Sequence, residues 1–280
     1  MDKHYRTKVH YSLVFITKAG FRVWGNLAFF NPAIHSMGWA SQKSSFDRDF
    51  YLGSNGGNWG AISNATHHYL ELCDYFNIPR PPSGLVIWAF KRNKGDWAAS
   101  TPMFQHSHVS NILQVNLTNT IGLPTLNILP DIFVFKFNDI CHFYSTMFHE
   151  LAHASHFRNV GRDYWNVEIT QTCTNLGYGN YSNINTGIIG VVEMWGPYFG
   201  EYKCFEKQYQ YAYPQFQPNE NWFKPGIMQD LDVQAGLTAR QIYNALTSKA
   251  ISHNSLKKQL INLYPHKKNA IEQCFKQYGF

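Results

Sequence analysis

From residue 131 to residue 156 the chain reads DIFVFKFNDICHFYSTMFHELAHASH. Its first seven residues, 131–137, are dense in β-branched and aromatic side chains and predict a strand. Asp139 is then placed to start a helix that runs to about Arg158, with Gly161 ending it. On that helix Ile140, Phe143, Tyr144, Met147, Phe148, Leu151 and Ala154 fall on one arc, which is expected to be buried. His149 and His153 lie on the other side, four residues apart and therefore on one face. Two imidazoles so placed can aim at one ion, and zinc takes such nitrogens at about 2.0–2.1 Å. Glu150 lies about 100° around the helix from His149. There its carboxylate can reach a water on the ion without being a ligand. The pattern His149-Glu150-x-x-His153 is thus suited to metal-assisted hydrolysis, the ion acidifying a water and the carboxylate taking its proton.

Catalytic zinc usually keeps three protein ligands and one open position, so a third ligand must come from elsewhere. Glu193 is the best candidate. It stands alone as a carboxylate in the apolar helical run 188–195, where burial is costly without a partner. Glu168 is a weaker alternative, because 159–186 is polar, rich in Asn, Gly and Tyr, and reads as a long loop. His156 shares the face of His149 and His153, one turn further on, and reads as a residue that supports the ligands or faces substrate, with direct ligation as the rival. His142 reads as an ordinary polar helix position. An oxyanion-assisting side chain is expected, and Tyr178, Tyr181, Tyr198 and Tyr202 are all open.

Working outward, residues 8–30 alternate and read as short strands with turns. The stretch LGSNGGNWG at 52–60 reads as a loop and as the best boundary, dividing a β-rich segment, 1–58, from a main domain, 59–280. Asn64 is expected to cap a helix to about Phe76, closed by Pro79, Pro81 and Pro82. Residues 85–90 read as a buried strand. A second helix should begin near Gly187 and be kinked or broken by Gly196-Pro197. Residues 212–235 read as mostly irregular. Thr238 should cap the first of three short C-terminal helices, with Leu260 and Leu263 as core candidates and Pro265 between the last two.

The 280 residues are 44% hydrophobic, 16% aromatic and only 15% charged, which argues against long-range disorder. The net charge of +6 is thinly spread. Its densest clusters, at 91–94 and around Lys257-Lys258 and Lys267-Lys268, do not form a nucleic-acid stripe, so no nucleic-acid partner is expected. No apolar run reaches the ~20 residues of a membrane helix, and residues 1–6 precede no apolar signal region. Five cysteines are widely spaced without a C-x-x-C, which suits buried thiols better than a disulfide framework or a zinc ribbon.

These residues bring the chain close to the gluzincins, the zinc metallopeptidases with H-E-x-x-H and a Glu ligand on a following helix. More narrowly, it resembles a group of uncharacterised zincin-like cell-envelope proteins of gut bacteria. The resemblance spans roughly 60–280 and runs through GDWAASTPM at 95–103, LPDI at 129–132, TMFHELAHASH at 146–156, GVVEMW at 190–195, GLT at 236–238 and LYP at 263–265. It implies an α+β zincin-like fold with the H-E-x-x-H helix beside a twisted sheet. It implies Zn2+ held by His149, His153 and Glu193, Glu150 as general base, a peptide or protein substrate, and a place in the cell envelope. Two features depart from the pattern: no lipoprotein signal is seen, and Gly196-Pro197 stands where relatives continue the helix. The function expected is a zinc-dependent, metallopeptidase-like hydrolase. Its rival is a non-catalytic cell-surface protein that captures glycan or protein on its aromatic side chains and keeps a vestigial site.

Overall fold

A computed structural model describes residues 9–17, 20–25, 33–40, 49–51, 54–90, 130–135, 139–175, 177–183, 186–210, 216–217 and 221–280. The basic cluster at 91–94, the motif at 95–103, and Leu129 lie outside these residues, as do 136–137 at the end of the expected strand.

The structure mixes small sheets with many helices, an α+β arrangement. Strands β1 (Val9–Val14) and β3 (Ile34–Ala40) form an antiparallel pair with an irregular register at Tyr11/Ser12. Strands β2 (Arg22–Gly25), β4 (Val86–Phe90) and β5 (Ile132–Phe135) form a parallel sheet in the order β2-β4-β5. Val86, Ile87, Ile132 and Val134 are buried, as expected of a parallel sheet covered by helices. Asp131 ties the sheet together at its start: its carboxylate accepts the Val86 backbone N–H at 2.9 Å.

Helix α1 spans Asn55–Phe76. The expected loop at 52–60 is therefore helical from Asn55, and α1 runs through the expected division at residue 58. Ser54 caps it, its Oγ accepting the Gly57 N–H at 3.0 Å. Gly56 serves close packing rather than a turn, since a Cβ there would sit 2.5 Å from the Phe50 ring.

Helix α2 spans Ile140–Thr174 with a break at Gly161, whose φ of 81° is open to glycine at little cost. Asp139 caps it by accepting the N–H groups of Cys141 and His142. The break was foreseen, but the residues beyond it are helical as far as Thr174, and 177–183 of the expected loop are turns and irregular chain. Their apolar spacing is short (Tyr164, Trp165 and Ile169) and is diluted by Asn, Thr and Gln. It becomes meaningful only where these residues pack against Ile188, Ile189 and Val192.

Helix α3 (Gly187–Trp195) follows and passes without interruption into a π-helical segment (Gly196–Cys204) and α4 (Phe205–Tyr209). Gly196-Pro197 does not break the helical run; the winding changes there from α to π. Pro197 lies inside that run and removes one helical N–H from it. Helices α5 (Gly226–Val233), α6 (Ala239–Ala245), α7 (His253–Leu263) and α8 (Lys268–Lys276) follow, with a 3-10 turn at Pro265–Lys267 between the last two. Helix α5 lies where irregular chain was expected. Thr238 caps α6 in a full capping box with Gln241.

Phe143, Met147, Phe148, Leu151 and Ala154 of α2 are buried as the helical wheel requires, each large one contributing about 1.5–3 kcal/mol. Ile140 and Leu263, expected inside, are exposed, each at the end of its helix. Phe148 and Phe199 meet Tyr69 of α1, and Trp195 stacks on Phe199 at 4.7 Å. The site-bearing helices α2 and α3 are thereby held on a common aromatic core. Among the described residues, no helix is long and apolar enough to cross a membrane.

Candidate metal centre

The N-terminal half of α2 presents His149 and His153 on one face, with their Nε2 atoms 2.9 Å apart. Helix α3 crosses that face and brings Glu193 between them. Its Oε2 lies 3.6 Å from His149 Nε2 and its Oε1 3.6 Å from His153 Nε2. One donor atom from each of the three lies within 4.8 Å of the other two, an arrangement able to hold a metal ion. Donors about 2.0–2.1 Å from one ion at tetrahedral angles are separated by about 3.3 Å, so the set fits a small divalent cation. His153 is buried, Glu193 is buried, and His149 is partly exposed. The cluster therefore opens to one side.

Glycine makes this approach possible. A Cβ at Gly196 would lie 2.8 Å from His149 Nε2 and from His153 Cε1. At Gly200 it would lie 2.5 Å from the backbone of Phe148 and His149. The π-helical segment thus rests directly on the histidine turn of α2. Trp195 fixes the register from the same side, its indole N–H donating to the Ala152 carbonyl at 3.1 Å.

Sequence reasoning missed Glu201. Its Oε1 accepts the Nδ1–H of His149 at 2.6 Å, the partner a ligating histidine needs to fix its tautomer. Eight residues of α-helix would put Glu193 and Glu201 about 80° apart. The wider π turn winds through less angle per residue and removes much of that offset. The available signal was a second lone carboxylate in an aromatic, Gly-spaced run, but α-helical geometry aimed it elsewhere.

Glu150 is buried beside the cluster, and its Oε2 has no hydrogen-bond partner. Burial raises its pKa to about 8. His149 works against that rise, while Glu193 and Glu201 add to it. Burial also pulls His149 down, but the Glu193 and Glu201 carboxylates outweigh it and set that imidazole well above its ordinary value. His153 goes the other way, lowered by burial and then by the neighbouring His149 and His156.

Glu168 lies in the helical second half of α2, not in a loop. It is buried, outside the ligand cluster, and accepts the Thr172 hydroxyl at 2.9 Å. Its pKa is raised to about 8 by burial and then by Glu193. His156 is fully buried and is not among the clustered donors, and burial lowers its pKa to about 3. His142 is exposed. Of the four tyrosines, Tyr178 feels the site: its pKa is raised first by Glu193, then by burial, Glu150, Glu168 and Glu201. Tyr198 and Tyr202 face the side of Asp232 and Lys203. Tyr181 packs on His253 and Phe280.

No family profile, curated relative or solved structure matches the chain. Fold and site together define an α+β protein whose buried two-histidine, one-glutamate group can bind a metal ion.

Proposed function

We propose that the protein is a zinc-dependent, metallopeptidase-like hydrolase with a zincin-like domain. His149, His153 and Glu193 would hold Zn2+, and Glu150 would act as general base. The observation that carries this reading is the buried Glu150 carboxylate, with an unpartnered oxygen, directly beside an open His-His-Glu donor set. A structural metal site has no use for such a group. Zinc bound there would supply Lewis acidity, activating a water and polarising a carbonyl.

Glu150 takes the proton of the attacking water and returns it to the leaving amine. Glu201 holds the His149 ring in one tautomer throughout. Tyr178 is the tyrosine we assign to the developing oxyanion, on the support that Glu193, Glu150, Glu168 and Glu201 all raise its pKa. A peptide substrate is supported by β5, which ends the parallel sheet among the described residues and leads directly into α2. An extended chain can add to such an edge through backbone hydrogen bonds.

The test is elemental analysis of the purified protein and of Glu193→Ala, followed by a peptide-library screen of wild type and Glu150→Gln. One zinc per chain, its loss in Glu193→Ala, and hydrolysis abolished in metal-loaded Glu150→Gln are the expected results. Absence of zinc from wild type after reconstitution would overturn the reading.

A further inference from the structure

Next to the ligand cluster lies a group of buried polar atoms that the proposed hydrolysis does not use. His153 Nδ1, both ring nitrogens of His156, and Trp165 Nε1 are all buried without a hydrogen-bond partner. They are neighbours. The Trp165 ring lies 6.0 Å from the His153 ring and 6.0 Å from the His156 ring, centroid to centroid. The break at Gly161 creates this proximity, by letting the second half of α2 turn so that Trp165 meets residues of the first half. Tyr164 also borders His156, at 5.4 Å, but its hydroxyl is committed to the Ala250 carbonyl at 2.8 Å.

The donor inventory of these groups is unbalanced in a specific way. With Nε2 turned to the cluster as a ligand, His153 carries its proton on Nδ1 and is a donor there. Trp165 is a donor only, and neutral His156 offers one donor and one acceptor. Three donors thus stand against one acceptor, with no hydrogen bond among them. A water relieves two of the three: it accepts from His153 and Trp165 and donates to the acceptor nitrogen of His156. Buried waters characteristically make about three such bonds, and rings with centroids 6.0 Å apart leave room for a bridge of two bonds of about 2.9 Å between nitrogens on their facing edges.

We propose that His153, His156 and Trp165 enclose a structural water-binding chamber, and that His156 and Trp165 are positioning residues that orient His153 through that water. This rests on the metal-site reading for its consequence but not for its existence. Glu201 orients His149 directly, and the chamber does the same for His153 at the other end of the motif.

The test combines NMR of 15N-labelled protein, metal-free and zinc-loaded, with zinc affinity measured by chelator competition. Expected are magnetisation transfer from a long-lived water to the Trp165 indole proton in both forms, and the Nδ1–H tautomer of His153 in the loaded form. His156→Leu and Trp165→Phe should each weaken zinc about 10- to 100-fold, the usual cost of losing an outer partner of a ligand. His156→Gln retains an acceptor and should stay within about threefold of wild type. An indole proton with no water contact overturns the chamber, even if His156→Leu proves unable to fold. Unchanged zinc affinity in His156→Leu or Trp165→Phe overturns the positioning role. If wild type binds no zinc, the metal reading fails, while the indole–water contact in the metal-free protein still decides the chamber.

Discussion

Glu201 Oε1 holds His149 Nδ1 at 2.6 Å from the same continuous helical run that delivers Glu193 to the other nitrogen of that ring. One imidazole is gripped from both ends by one polypeptide stretch. Replacing Glu201 by Gln keeps a hydrogen-bond acceptor but removes the charge that makes His149 a strong donor to a cation. Glu201→Gln is expected to lose about 10-fold in zinc affinity and Glu201→Ala nearer 100-fold. Chelator competition reads both, and equal affinity in Glu201→Ala and wild type would show the contact to be incidental.

The two glycines of the π-helical segment should fail differently. A methyl at Gly200 meets backbone of α2, which cannot swing aside, so Gly200→Ala should destabilise the fold by about 3 kcal/mol or more. A methyl at Gly196 meets the two imidazoles, so Gly196→Ala should lose metal at a smaller cost in stability. Gly161→Ala meets nothing within 4 Å, but φ 81° with ψ −176° is backbone nearly confined to glycine, so it bears a conformational penalty of roughly 1–3 kcal/mol. Denaturant midpoints for the three variants, with zinc content alongside, check this order. A Gly200→Ala protein as stable as wild type would contradict the close approach.

The contrast between these glycines shows what the sequence discloses. The strand at β5, the Asp139 cap, the buried arc of α2 and the His149-Glu150-His153 face follow from local rules of spacing and capping, and were legible. Glu193 was legible because a lone carboxylate in an apolar run demands a partner. Glu201 was not, because its aim depends on π winding, which no local propensity signals. The helix beyond Gly161 was hidden for a related reason. Its few apolar residues form a stripe only against Ile188 and Val192, a tertiary fact. Gly196-Pro197 reads as a breaker by local rules, while packing against the histidine turn requires a residue without a side chain there.

His253 gives a pH dependence that is independent of the ligand histidines. It is buried, stacks on Phe280 at 4.0 Å, and donates Nε2–H to the Phe223 carbonyl at 2.8 Å. Burial lowers its pKa to about 4; the bond to Phe223 opposes this and the Lys224 charge adds to it. The unfolded value is near 6.5. Between these values the unfolded chain binds a proton that the folded chain refuses. Its contribution is therefore fully present above about pH 6.5 and is lost as pH falls towards 4, by on the order of 3 kcal/mol. His253→Gln retains a donor to Phe223 and should flatten that part of the stability–pH curve. Identical curves for the two proteins in urea titrations would sink the assignment.

Tyr178 offers the sharpest separation of binding from chemistry. Its ring is held edge-on to Phe223 at 5.1 Å, and its loop is ordered by its own bonds: Asn180 N–H to Asn183 Oδ1 at 2.8 Å and Thr186 Oγ1 to the Asn180 carbonyl at 3.0 Å. Removing only its hydroxyl leaves those contacts and the His-His-Glu set untouched. If the hydroxyl meets charge that develops in the transition state, Tyr178→Phe should lower kcat by about 100-fold or more with KM and zinc content little changed. The same change at Tyr181, Tyr198 or Tyr202 should leave kcat within a few-fold of wild type, since Tyr198 and Tyr202 are governed by burial and by Asp232, Glu206 and Lys203, and Tyr181 packs on His253 and Phe280. A raised KM with unchanged kcat in Tyr178→Phe would instead make the residue a contact to bound substrate. The oxyanion would then have to be met by another group.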